Sequence, residues 1–337
     1  MGQGRQAARW GYLAAVGRCF VITPSVMQQV QLPEPGGLAE WCYANLGSRL
    51  VQVHFQQAHL SAVTGVRLAD GRNAVIKVRP AAARQRGCVE VQRHLWRAGY
   101  PCPQPLAGPA PLGRLDATAE AFVPGGTQLA PDPGSAGSFA AALARLVELA
   151  PQVSAVSTLE PSPPWSYWDH HEDGPWPWPD DMNMDLNTRP GPAWLDDAAI
   201  RIRRRLERCA EPPVVGHCDW ESQNIRWRRG RLHVVHDWDS VISKPEAAIA
   251  GQAAAAFAAT GGPGEHATVA QSAQFLAAYE RARSRPWTAD EQEVAWASGA
   301  WVVAFNAKKD TVDAGRGGPL ADVLAAELAE RLRRAGA

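Results

Sequence analysis

Hydrophobic positions change period several times along the chain, and each change marks an element. Residues 38–47 carry helical spacing, after which Val51, Val53 and Phe55 alternate with polar neighbours as in a half-buried strand. A second strand is predicted over Ser61–Leu68 and runs into Ala69-Asp70-Gly71-Arg72, where Asp-Gly is a tight-hairpin signal. The third strand, Asn73–Arg79, turns Ala74, Ile76 and Val78 one way and Val75, Lys77 and Arg79 the other. A helix follows, with Cys88, Val91, Leu95 and Ala98 as its apolar stripe, and stops at Gly99 ahead of Pro101, Pro103 and Pro105. Ala119–Val123 reads as a short apolar strand closed by Pro124-Gly125-Gly126.

This order predicts a small antiparallel sheet carrying a single helix. Beyond the Pro-Gly-Gly break the pattern becomes helical at Phe139–Leu149, irregular and rich in Trp, Pro and Asp over 161–197, and helical again at Asp197–Cys209. Two apolar strand-like segments follow, and residues after 246 are mostly Ala-rich helix. The expected organisation is an α+β protein with an N-lobe over 26–123 and a C-lobe over 124–337. Residues 1–25 lack periodicity and caps and read as a loose extension.

Composition narrows the function classes. The chain has 337 residues, 34 Lys plus Arg against 34 Asp plus Glu, and 46% hydrophobic content. That balance suits a core-forming protein and argues against nucleic-acid or polybasic membrane-surface binding, both of which need an excess of positive charge. No apolar run approaches membrane-spanning length. The six cysteines lack any CxxC pair, which points to reduced thiols and a cytoplasmic setting. Arg5 and Arg9 precede an apolar patch that Arg18 interrupts, so a signal peptide is not expected.

The densest cluster of chemistry runs from Val214 to Asn224 and on to Asp239. An apolar strand, a loop with Asp219 and Asn224 five apart, a turn at Arg229-Gly230, a second strand over Leu232–Val235 and then Asp237 read as one hairpin-like unit. It aims three oxygen-bearing side chains at a common point. Two carboxylates and an amide oxygen suit Mg²⁺, a hard cation that takes oxygen ligands and is usually completed by phosphates and water. A carboxylate left off the metal could orient a hydroxyl and accept its proton.

His217-x-Asp219-x-x-x-x-Asn224, with Asp237 thirteen residues later and Trp238 after it, resembles the catalytic loop and metal-binding Asp of protein-kinase-like enzymes. It is most similar to the aminoglycoside phosphotransferase family. The resemblance implies a two-lobed protein-kinase-like fold and an ATP-dependent transfer of phosphate to a hydroxyl of a small molecule, with Mg²⁺ as cofactor. It assigns Asp219 as catalytic base and Asn224 and Asp237 as metal ligands. Cys218 stands where relatives usually have Gly or Arg.

The N-terminal half offers an independent check on this resemblance. Only four of the basic residues are lysines, Lys77, Lys244, Lys308 and Lys309, so one lysine inside Ala-Val-Ile-Lys-Val is informative. The resemblance makes Lys77 the phosphate-binding lysine, Glu90 its helix ion-pair partner, and Glu120, Phe122 and Val123 the hinge that meets adenine. His217 is read as a packed histidine that holds the loop. No GxGxxG covers the phosphates, since residues 56–66 contain only Gly65; Ser61 and Thr64 are the substitutes. No activation loop ending in Ala-Pro-Glu follows Asp237, which argues against a protein kinase.

The acceptor is expected to be an antibiotic hydroxyl, with a metabolic acceptor such as an amino sugar or choline as the alternative. A metal-dependent hydrolase built on His217, Asp219, His236, Asp237 and Asp239 is a rival from another class, and a nucleotide-binding pseudokinase is a third. Residues 163–197 hold five tryptophans among eight acidic side chains, which reads either as an acceptor-binding insertion or as a Trp-anchored surface loop. Trp220, Glu221, Asp239, Asp180 and Asp181 are the candidate acceptor contacts. The sequence leaves the oligomeric state open.

Overall fold

The computed structural model describes residues 30–337 except 59, 131, 133, 262–264 and 315–317, so the expected extension at 1–25 lies outside the described residues. Helix α1 (Pro35–Leu46) leads into β1 (Leu50–Ala58), β2 (Ala62–Leu68) and β3 (Asn73–Pro80), then α2 (Arg84–Arg97), β4 (Pro105–Leu112) and β5 (Leu115–Ala121). The five strands form one sheet in the order β1-β2-β3-β5-β4 with every neighbouring pair antiparallel.

Strand β3 shows the expected alternation: Ala74, Ile76 and Val78 are fully buried against Leu38, Trp41 and Cys42 of α1, which leaves Val75, Lys77 and Arg79 facing the opposite side. Strand β1 departs from expectation, because Val51 is 63% and Val53 40% exposed. It is an edge strand whose pairing with β2 slips twice, between Leu50 and Gln52 and between Val53 and Phe55, so its alternation does not track the core. Strand β4, which the prolines of 101–111 concealed, is the other edge. Pro105, Pro109 and Pro111 are tolerated there because only one side of an edge strand needs donors.

The stripe of α2 packs away from the sheet. Cys88, Val91 and Leu95 join the large core of the C-lobe, together with Tyr100, Phe139 and Leu143; Ala98, expected in the stripe, is exposed. The C-lobe contains α3 (Ser135–Leu149), α4 (Ala193–Glu207), β6 (Pro213–His217), β7 (Ile225–Arg228), β8 (Arg231–Val235), β9 (Val241–Pro245), α5 (Glu246–Ala256), α6 (Val269–Ala282), α7 (Ala289–Ala314) and α8 (Pro319–Ala335). The single hairpin expected around the catalytic loop is two ribbons. β7 pairs β8 across Arg229-Gly230, whereas β6 pairs β9. Among the described residues no helix is long and apolar enough to cross a membrane.

Helices α5 and α7 form the centre of this lobe by close backbone approach. A Cβ on Gly251 would lie 1.9 Å from the Ala295 carbonyl oxygen, and one on Gly299 would lie 2.7 Å from the Gly251 carbonyl oxygen. Gly251→Ala must therefore push these helices away from each other, although their facing sides are apolar. It is expected to cost about 3 kcal/mol in urea unfolding. Gly137→Ala on α3, where nothing lies within reach, is expected to be neutral or to stabilise by about 0.5 kcal/mol.

Candidate active site

The catalytic loop begins at the end of β6. His217 is fully buried, and both its ring nitrogens are used. Nδ1 accepts from the Asp219 backbone N–H at 3.2 Å, so Nε2 carries the proton and donates to the carbonyls of Asp237 at 3.0 Å and His236 at 3.2 Å. One imidazole thus ties the loop of Asp219 to the loop of Asp237. Its edge-on contacts with Trp220 and Trp238 exclude water. The histidine holds the loop, as expected, and has no nitrogen left for a metal or substrate.

Asn224 sits in a short turn after Glu221, and its Nδ2 donates to Asp219 Oδ2 at 2.7 Å and to the Asp219 carbonyl at 3.1 Å. Both amide protons go to Asp219, which leaves the amide oxygen as an acceptor. Asp237 adopts the left-handed backbone conformation, φ 64° and ψ 48°, a strained setting for a non-glycine residue. Its Oδ2 accepts from Ser240 Oγ at 2.9 Å and its Oδ1 from Lys77 Nζ.

These two carboxylates are driven apart electrostatically. Burial raises the proton affinity of Asp219, and the charges of Glu221 and Asp237 raise it further. Burial acts the same way on Asp237, but the Lys77 ammonium more than reverses it and holds that carboxyl well below the usual range. Asp237 and the Asn224 oxygen offer hard donors for a divalent cation. Among the described residues no three His, Cys, Asp or Glu side chains form a metal cage, and two oxygen donors suit an ion completed by phosphates and water.

The N-lobe side departs from expectation at Glu90. Its carboxylate does not pair with Lys77; it accepts from the Ser157 N–H at 2.7 Å and Ser157 Oγ at 3.1 Å, on the C-lobe side of α2. Lys77 instead donates to Asp237 and Asp239, and Arg79, two residues along the same strand face, donates to the other oxygen of Asp239. Arg84, which carries no signal of its own in the sequence, is buried and binds the carbonyls of Leu159, Asp239 and Val241. Glu120 lies on the Lys77 face of the sheet, where Gln92 Nε2 donates to it at 2.8 Å. Phe122 donates its N–H to the Asn73 carbonyl at 3.0 Å, so that hinge amide is committed to the sheet; Val123 follows as the residue that enters the interlobe connection.

The roof of the cleft is aromatic. Phe55 lies opposite Gly65 in the β1–β2 pairing, and a Cβ on Gly65 would fall 2.0 Å from Phe55 Cε1, so the ring lies flat on the glycine. Gly65 pairs with Val75 and therefore shares the face of Lys77. Thr64 is fully buried on the other face, which removes it as a phosphate ligand.

The sequence profile of the phosphotransferase enzyme family matches residues 64–287, more than half of the chain and all of the site just described except Phe55. The chain belongs to the phosphotransferase enzyme family. Among curated proteins it has no significant match. Solved structures with the same fold include an amicoumacin kinase bound to AMP-PNP, Ca²⁺ and amicoumacin, with 10% identity, TM-score 0.57, and coverage of 82% of this chain and 85% of that one. A putative aminoglycoside phosphotransferase from Ralstonia eutropha has 16% identity and TM-score 0.54 over 88% and 96% of the two chains. A spectinomycin phosphotransferase bound to ADP and spectinomycin has 12% identity and TM-score 0.52 over 91% and 94%. The expected kinase-like fold and small-molecule phosphotransferase class are thus established.

On the acceptor side of this phosphotransferase, three candidates change role, Asp239 being bonded to Lys77 and Arg79. Trp220 is fully buried and donates to the Phe139 carbonyl at 3.1 Å, so it belongs to the core. Asp181 is buried and bonded to Lys309. In the 163–197 segment Asp169 accepts from Lys244, Asp196 accepts from Lys308, and Trp176 packs against Trp301 and Phe305. Much of that segment is a Trp-anchored, lysine-neutralised cover on the C-lobe. Glu221 stays beside Asp219, and burial followed by neighbouring carboxylates pushes its carboxyl up to about 7. Asp180 lies near both Asp181 and Arg79, and its proton affinity is raised by its surroundings and by the Asp181 charge. Glu265, far from the catalytic loop in sequence, adds negative potential at Glu221.

Burial depresses His217 and His236 to about 4 in the folded state, against about 6.5 unfolded. A depressed folded value means that the unfolded chain binds more protons between those limits. Stability is therefore complete above pH 6.5 and lost as pH falls towards 4, by about 3 kcal/mol for the fully buried His217. The urea midpoint is expected to drop steeply across this window and less steeply in His217→Gln; equal slopes in both proteins would remove His217 as the source.

Proposed function

We propose that this phosphotransferase moves the γ-phosphoryl group of ATP to a hydroxyl of a small, cationic or polyhydroxylated acceptor of the antibiotic type, with Mg²⁺ as its metal. The observation that carries the reading is the loop pair strapped by His217, which brings Asp219, held by Asn224, together with Asp237, held by Lys77. Such an arrangement lets one carboxylate serve as base and the other as the metal-side anion.

Asn224 and Asp237 would hold Mg²⁺, which supplies charge neutralisation on the phosphates when bound. Asp219 is fixed by Asn224 Nδ2 and would turn its other oxygen to the acceptor hydroxyl. As the new O–P bond forms and the bond from γ-phosphorus to the β-phosphate oxygen breaks, the hydroxyl proton passes to Asp219. Its raised proton affinity suits late acceptance of that proton. Lys77 faces the phosphates from the roof, and Phe55, Val75 and Gly65 cover the nucleotide with an apolar surface. The Val123 backbone is the adenine contact at the hinge.

The acidic side chains left on the acceptor side, Glu221, Glu265 and Asp180, attract a cation or several hydroxyls and repel an anion. The hydrolase rival loses one of its five residues as a metal ligand, because both nitrogens of His217 are bonded within the protein.

The reading is tested by ATP consumption against panels of antibiotics, amino sugars and choline-like amines. Asp219→Asn is expected to lower kcat about 10²–10⁴-fold while ATP binding survives, whereas Asp237→Ala weakens Mg·ATP binding as well. Equal ATP affinity in the two variants would mean that the roles are divided wrongly. Asp180→Asn is expected to raise the acceptor KM and reduce its salt dependence without changing the KM for ATP.

A further inference from the structure

We propose that Asp239, gripped by Arg79, is the carboxylate that positions Lys77 for the ATP phosphates, in the role for which Glu90 was the sequence candidate. The proposal rests on the phosphotransferase reading and concerns how this chain fixes its phosphate-binding lysine.

Glu90 is unavailable. Its two oxygens accept from Ser157 N–H and Oγ, and α2 is oriented with its apolar stripe in the C-lobe core. Lys77 finds its carboxylates across the cleft instead, at Asp237 and Asp239. Of these two, Asp237 is the one that the proposed metal would engage, which leaves Asp239 as the lasting partner. Asp239 is built for that role, being held at three points. One carboxylate oxygen takes Lys77 and the other takes Arg79. Its backbone carbonyl is held by Arg84.

The spacing explains why one carboxylate can serve both cations. Residues i and i+2 of a strand project from the same face about 7 Å apart, a gap that two long side chains close on a bridging carboxylate. Arg79 takes one Asp239 oxygen through its planar guanidinium, which fixes the carboxylate and leaves its other oxygen for Lys77. Lys77 would keep Asp239 as its partner, aimed at the phosphates, if Asp237 held a metal. Arg79 and Asp239 are positioning residues in this scheme, and neither needs to touch the nucleotide.

The test compares Asp239→Asn, Asp239→Glu, Arg79→Met and Glu90→Gln with the full-length wild type. ATP-analogue affinity is measured by calorimetry with and without Mg²⁺, alongside the KM for ATP, the KM for the acceptor and the melting temperature. Asp239→Asn keeps the backbone carbonyl that Arg84 binds, so the turn retains its anchor. It is expected to weaken ATP by about tenfold to a hundredfold in both magnesium conditions, with the acceptor KM unchanged. Asp239→Glu should recover some of that loss, and Arg79→Met should show a smaller one. Glu90→Gln should lower the melting temperature while changing the KM for ATP less than twofold. ATP affinity unaltered in Asp239→Asn, or a Glu90→Gln loss as large, overturns the proposal while leaving the phosphotransferase reading intact. A wild-type protein that does not bind Mg·ATP overturns both.

Discussion

The site depends on one desolvated imidazole. His217 accepts from the backbone of Asp219 and donates to the backbone of Asp237, so two loops that arrive from different ribbons are fixed to each other through a ring with no water around it. Burial keeps that ring neutral, and neutrality is what allows one nitrogen to accept while the other donates. The left-handed backbone at Asp237 is sustained by the same bonds, since its carbonyl is an acceptor for the ring. The Asp219 and Asp237 carboxylates are thereby held at fixed separation before any substrate arrives, which is the form of preorganisation that phosphoryl transfer uses.

Around this strap the scarce lysines are committed to particular partners. Lys77 meets Asp237 and Asp239, while Lys244, Lys308 and Lys309 meet Asp169, Asp196 and Asp181 of the irregular cover. Lys308 is itself almost wholly buried, so its pairing with Asp196 and the Arg189 carbonyl is obligatory once Trp176 packs beside it. The cover takes much of its shape from these three pairs. Its net acidity in sequence therefore overstates the negative charge available to an acceptor.

Much of the fold was legible because β3 and the catalytic loop obey strict local rules. The alternation of Ala74, Ile76 and Val78 against Lys77 needs only the pleat, and the Asp219–Asn224 spacing with a strand on either side constrains the loop closely. Glu90 illustrates the limit. Sequence gives the stripe of α2 but not which core receives it, and here Cys88, Val91 and Leu95 enter the C-lobe, so a residue beside the stripe faces Ser157 rather than the sheet. Strand β4 was hidden by prolines whose cost vanishes only at a sheet edge, a property of the assembled sheet. Trp220, beside the Asp219 loop, and Asp181, within the acidic 163–197 segment, take other roles because position in sequence says nothing of direction: one points to Phe139 and the other to Lys309. The count of four lysines was the available signal that a carboxylate at 169, 181 or 196 had a dedicated cation.

The placement of α2 has a consequence for control. In protein kinases the corresponding helix carries the glutamate that pairs with the phosphate-binding lysine, and its position governs activity. Here its apolar stripe lies in the C-lobe core, its glutamate is bonded to Ser157, and its first turn is anchored through Arg84 to the carbonyls of Asp239 and Val241, just after Asp237. Rotating it outward would expose buried apolar surface and strand a buried guanidinium. Such a helix is a girder more than a lever: shifting it would disturb the C-lobe core and the Arg84 anchor together.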